Sequence, residues 1–92
     1  MKVTAHFHGI LADWVGTRSA GFELSNAATY SDLIKEIRRR FGGNMPDQLW
    51  DNEKNTFHKK VLAFRDGKAP GTADFKLHNG EELTFYLMMA GG

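Results

Sequence analysis

Residues 2–9, KVTAHFHG, set Val3, Ala5 and Phe7 against Lys2, Thr4, His6 and His8 in alternation. A period of two marks a strand with one face in the core and the other in water. The next segment, ILADWVGTRSAG, loses that period and is bracketed by Gly16 and Gly21, which predicts a turn; FELS then supplies a second short strand. At residue 29 the period changes. In TYSDLIKEIRRRF, Tyr30, Leu33, Ile34, Ile37 and Phe41 recur at helical spacing. Thr29 with Asp32 makes a capping-box start, and Gly42 and Gly43 predict a stop through the left-handed conformation.

The polar stretch NMPDQLWDNEKNTFHKK has no clean period, and Met45, Leu49, Trp50 and Phe57 are its means of tacking onto the body. VLAFRDG reads as a third strand ending in an Asp-Gly turn. FKLHNGEELTFYLMM reads as a short strand, an Asn-Gly turn and a long final strand. The order β-β-α-β-β predicts an α+β fold in which one main helix covers one face of a small mixed sheet. Along the last strand Leu83, Phe85 and Leu87 point one way, under the helix, and Thr84, Tyr86 and Met88 the other. Tyr86 and Met88, beside the imidazoles of the first strand, would then form an exposed semi-apolar patch of the kind that marks a partner surface.

Composition narrows the function classes. Ninety-two residues make one domain over 1–92, with 88–92 expected as a flexible tail. Seven Phe, two Tyr and two Trp argue for a folded chain. A formal net charge of +1 gives no field for nucleic acid or an anionic membrane. The absence of cysteine excludes disulfides, thiolate chemistry and zinc-thiolate sites. Neither a signal-peptide apolar region nor a stretch of membrane-spanning length is present, so a cytoplasmic location is the expectation.

Most candidate chemistry reduces to ordinary surface. His6 and His8 share one side of a strand, but two imidazoles do not make a metal site, so no metal is expected. EIRRRF and HKK are basic, yet Glu36 and Arg40 stand four apart, the spacing of internal pairing on a solvated helix face. No serine–histidine pair, paired carboxylates or glycine-rich phosphate loop appears. An independent enzyme is therefore not expected, nor a cofactor bound by the chain itself.

The sequence closes on FYLMMAGG. Ten glycines in 92 residues place glycine at both final positions in about 1% of random arrangements. A Gly-Gly carboxyl end suits entry into a narrow slot of another protein, because without Cβ atoms the walls can close on the main chain. The terminal carboxylate is ionised at neutral pH and can attack a phosphoryl group. No side chain then hinders attack on the acyl carbonyl that results.

The β-β-α-β-β order, VLAFRDGK before the last hairpin and HNGEELTFYLMMAGG at the end resemble the ubiquitin-like sulfur-carrier family, which includes the small subunit of molybdopterin synthase. Gly80, Glu81 and Glu82 match that family's turn, Leu83 to Tyr86 its apolar strand, and Ala90, Gly91 and Gly92 its end. The family's Pro-Pro pair is replaced by Leu87 and Met88. The resemblance implies a β-grasp fold with the first and last strands adjacent and parallel. It implies that the Gly92 carboxylate is adenylated by an activating enzyme using ATP and magnesium, then converted to a thiocarboxylate. The large subunit of molybdopterin synthase would use that sulfur to build the dithiolene of the molybdenum or tungsten cofactor. By position, His6, Tyr86 and Met88 would lie on the docking face. Leu87, Met89 and Ala90 would line the tail, and Gly91 and Gly92 would enter the partner's active site. A ubiquitin-like protein modifier conjugated through Gly92 and a thiazole-pathway sulfur carrier are the alternatives that share this chemistry.

Overall fold

The alternating N-terminal segment forms β1 (Lys2–Phe7), and its odd-numbered residues Val3, Ala5 and Phe7 are buried. In the computed structural model, residues 1–53, 56–58, 60–65 and 74–88 are described. A short helix α1 (Ile10–Val15) leads to β2 (Ser19–Glu23), and the main helix α2 (Tyr30–Phe41) follows. Two small strands, β3 (Trp50–Asp51) and β4 (Thr56–Phe57), pair with each other, and β5 (Val61–Arg65) and β6 (Glu81–Leu87) complete the main sheet.

That sheet has the order β2-β1-β6-β5. β1 runs antiparallel to β2 and parallel to β6, with Phe7 opposite Phe85, while β5 runs antiparallel to β6. A parallel pair cannot be joined by a tight turn, so the chain between β1 and β6 must cross over, and α2 lies in that crossover. This is the β-grasp arrangement, with the first and last strands side by side at the centre. Phe7, Leu33, Ile34, Ile37, Leu83 and Phe85 are each at most 2% exposed. Burying such side chains is worth about 1.5–3 kcal/mol apiece. Phe85 is the hub, with the rings of Phe57, Phe7 and Tyr30 centred 5.5, 5.8 and 6.4 Å away.

The α2 start is as expected: the Asp32 carboxylate accepts the Thr29 backbone N–H at 2.9 Å, closing the capping box. Met45, Leu49, Trp50 and Phe57 are all buried, and Trp50 stacks on Phe57 with ring centres 4.5 Å apart. The Asn79–Gly80 turn is present, with Gly80 at φ +83°. The expected Asp66–Gly67 turn lies outside the described residues.

Four expectations need correction. Residues 10–15, expected as a turn, are helical: Leu11 and Val15, four apart, are buried, and Gly16 ends the helix at φ +89°. A helix of six residues is too short to establish a period against its neighbours. The short strand at FKL reduces to one bridge between Lys76 and Thr29, and Leu77 is held by donating its N–H to the Ala28 carbonyl at 3.1 Å. Gly42 is right-handed (φ −59°, ψ −30°) and passes α2 into a tighter helical turn over Gly42–Asn44, so no left-handed residue stops the helix there. Finally, Glu36 pairs with Arg39 at 2.8 Å and not with Arg40. Arg40 instead reaches the Gly21 carbonyl at 2.7 Å and lies over the rings of Phe22 and Phe41.

Candidate functional site on the bare sheet face

With α2 on one side of the sheet, the even-numbered residues of β1, β5 and β6 fall on the other. Register then decides which of them meet. Thr84 stands between His6 on β1 and Phe64 on β5, and Tyr86 stands opposite Leu62. His8 extends the Tyr86 row: its N–H donates to the Phe85 carbonyl at 3.1 Å, and its ring stacks on Tyr86 with centres 4.5 Å apart. Phe64 meets the Tyr86 ring edge-on at 5.3 Å. Leu62, Phe64, Thr84 and Tyr86 line a cavity of about 360 Å³. Leu62 is 36% exposed and Tyr86 40% exposed, so this apolar surface faces solvent.

A polar margin adjoins it. His6 Nε2 lies 2.6 Å from Glu82 Oε1, and a cavity of about 600 Å³ opens among His6, His8, Asp13 and Arg18. Among the described residues no three His, Cys, Asp or Glu side chains gather closely enough to hold a metal ion. The start of β6 is pinned by Glu81, whose carboxylate bonds the Arg65 guanidinium and accepts the His78 N–H at 2.9 Å. The bond from Arg65 holds the Glu81 carboxyl below the usual carboxylate range. On the helix side, burial pushes the Tyr30 phenol up to about 12, so it stays neutral at any physiological pH.

The end of β6 carries the other expected residues. Leu87 is half-buried and packs on the core, whereas Met88 is 50% exposed. The Met88 N–H still donates to the Lys60 carbonyl at 2.8 Å, so pairing with the β5 side persists to this residue. Leu87 and Met88 border a different cavity, of about 540 Å³, with Trp14, Leu49, His58 and Lys60 on its walls. His6 and Tyr86 thus share the bare face, and Leu87 and Met88 sit at its end. Met89, Ala90, Gly91 and Gly92 lie outside the described residues.

Sequence reasoning did not find Leu62, Phe64 and Thr84 as site residues. Their signal is the spacing of two between Leu62 and Phe64, but a four-residue apolar run does not say which of its faces is buried. Only pairing with β6 assigns Leu62 and Phe64 to the Tyr86 side.

No protein-family model matches the sequence, and no curated protein matches it. Solved structures do. The small archaeal modifier protein SAMP1 from Haloferax volcanii superimposes with a TM-score of 0.84 at 16% identity, covering 100% of both chains. A candidate molybdopterin converting factor, subunit 1, from Pyrococcus furiosus gives 0.73 at 20% identity, over 97% of this chain and 99% of that one. A chain of the BexX/CysO complex from Amycolatopsis orientalis gives 0.70 at 24% identity, over 98% and 99%. The β-grasp fold is shared with all three.

Proposed function

We propose that this chain is a ubiquitin-like sulfur carrier whose Gly92 carboxylate is activated and converted to a thiocarboxylate by partner enzymes. The observation that carries the proposal is the placement of β6. It lies at the centre of the sheet, holds Phe85 in the core, presents Tyr86 within an exposed apolar patch, and ends at Leu87, five residues before Gly92. One strand therefore joins the rigid body, a docking face and the Gly-Gly segment. The neighbours in fold include proteins named as a molybdopterin converting factor subunit and a modifier, which supports a carrier over a catalyst.

The chemistry balances without a catalytic group from this chain. A carboxylate oxygen of Gly92 bonds the α-phosphorus of ATP, and pyrophosphate leaves. A sulfide-level nucleophile attacks the acyl carbon, and AMP leaves with the bridging oxygen. ATP and magnesium are bound by the activating enzyme. Leu62, Phe64 and Tyr86 hold the carrier against each partner, and the absence of Cβ atoms at Gly91 and Gly92 lets the main chain enter a narrow slot. For the recipient we propose the dithiolene of molybdopterin, delivered through a large synthase subunit, on the likeness to the Pyrococcus furiosus protein. Conjugation to protein lysines through Gly92 is the second reading, favoured by the likeness to SAMP1.

The test is intact-mass analysis after incubation with an activating enzyme, ATP and a sulfur donor. One terminal oxygen is replaced by sulfur in the chain ending at Gly92, and nothing changes in the chain lacking Gly91 and Gly92. An unmodified mass with activating enzymes from the source organism refutes the carrier. Adducts that survive denaturing gels and reducing agent identify the modifier.

A further inference from the structure

β6 ends between two surfaces. Tyr86 faces the bare side of the sheet, whereas Leu87 packs toward the core on the helix side. On that second side lies the cavity of about 540 Å³, walled by Trp14 of α1, by Gln48 and Leu49 before β3, and by His58 and Lys60 before β5. Its walls are tied together at the main chain. The His58 N–H donates to the Leu49 carbonyl at 2.6 Å, the Val61 N–H to the His58 carbonyl at 2.9 Å, and the Met88 N–H to the Lys60 carbonyl at 2.8 Å. The groove is therefore built around the point where the chain departs from the sheet.

Its chemistry is one-sided. Trp14, Leu49 and Leu87 make an apolar wall. The Lys60 backbone N–H donates to His58 Nδ1 at 3.2 Å, so in the neutral ring the proton sits on Nε2, which is left as a donor. The exposed Lys60 side chain adds a cation, and none of the described residues lining the groove carries a carboxylate.

The length of chain after Met88 says what meets this groove. Four residues remain to Gly92, and the first two, Met89 and Ala90, carry side chains. At about 3.3–3.6 Å per residue, Ala90 lies at most about 7 Å from Met88, and Gly92 at most about 14 Å. Packed layers stand about 10 Å apart. A slot that closes on Gly91 and Gly92 from both sides therefore cannot hold its mouth clear of the body. One lip meets the bare face beside Tyr86, and the other falls across β6 onto the groove.

We infer that the groove seats the second lip of the activating enzyme's slot, and that this lip is an apolar side chain flanked by a carboxylate. The apolar side chain packs against Trp14 and Leu87, and the carboxylate accepts from Lys60 and from the His58 Nε2–H. The contact rests on the carrier proposal and lies apart from Leu62, Phe64 and Tyr86.

Pyrophosphate release by the activating enzyme of the source organism, followed against the concentration of the full chain, tests this. Lys60→Glu reverses an exposed charge and keeps the main-chain bond to Met88, while Trp14→Ala removes an apolar wall. Lys35→Glu, exposed on α2 and outside the groove, makes the same charge change as a control. In variants that melt cooperatively, and so are folded, Lys60→Glu and Trp14→Ala each raise KM about fivefold or more with kcat within about twofold, and Lys35→Glu matches the wild type. A wild-type KM in every folded groove variant overturns the inference and leaves the carrier proposal standing, because the chain is still activated. An equal rise in Lys35→Glu also overturns it, since net charge and not the groove then governs encounter. A wild-type chain that supports no pyrophosphate release refutes the carrier proposal and takes this contact with it.

Discussion

Phe85 and Tyr86 are neighbours in sequence on opposite faces of β6, so truncating each to alanine separates stability from the proposed docking. Phe85 is fully buried and central to the aromatic core. Phe85→Ala leaves a cavity there and costs about 3–5 kcal/mol. A 92-residue domain at roughly 0.05–0.15 kcal/mol per residue has only about 5–14 kcal/mol in all, so this variant is near the folding limit. Tyr86 is 40% exposed and loses one stacked contact to His8 and one edge contact to Phe64. Such pairs are worth about 0.5–1.5 kcal/mol when buried, so at this exposure Tyr86→Ala costs roughly 1 kcal/mol. In docking the order reverses, because an exposed Tyr in an apolar depression fits a binding hot spot. Its loss weakens partner binding by about tenfold or more, or about 1.4 kcal/mol. Urea denaturation followed by circular dichroism gives the first pair of numbers. The dependence of thiocarboxylate formation on carrier concentration gives the second. Equal destabilisation by the two substitutions refutes the assignment of Tyr86 to a free face, and unchanged carrier dependence in Tyr86→Ala removes that face from docking.

Other perturbations follow from single contacts. Glu81 titrates below its ordinary 4.5 because Arg65 bonds it, so its contribution to stability is present above pH 4.5 and lost as pH falls through the lower folded value. Urea midpoints taken through the acid range should fall more steeply for wild type than for Glu81→Gln. Gly80 sits at φ +83° with nothing within 4 Å of the position a Cβ would take, so Gly80→Ala meets backbone strain alone and costs about 1–2 kcal/mol by chemical denaturation. Asp32→Ala opens the capping box of α2 and lowers stability by about 0.5–2 kcal/mol, without altering sulfur loading per folded molecule.

Much of this protein was legible in its periodicities. The alternation of β1, the helical spacing of Tyr30 to Phe41 and the two faces of β6 are local consequences of which side chains can leave water together. They settled the types of those three elements, and Leu83 and Phe85 were correctly placed in the core. What local pattern did not carry was pairing between distant segments. The helix at Ile10–Val15 exists because Leu11 and Val15 find the core, a tertiary gain that six residues do not announce. Arg40 leaves Glu36 because the Gly21 carbonyl and the ring of Phe22, brought near by β2, give it more than a solvent-exposed carboxylate does. The exposed sheet face followed the same rule. His6, Thr84 and Tyr86 were readable as residues on the outer face of their own strands, but Leu62 and Phe64 joined them only through the register of β5 on β6. The sequence by itself determined which residues could be exposed together on one strand. The sheet decided which of those strands stood side by side, because hydrogen-bond register is a property of the pair and of neither strand alone.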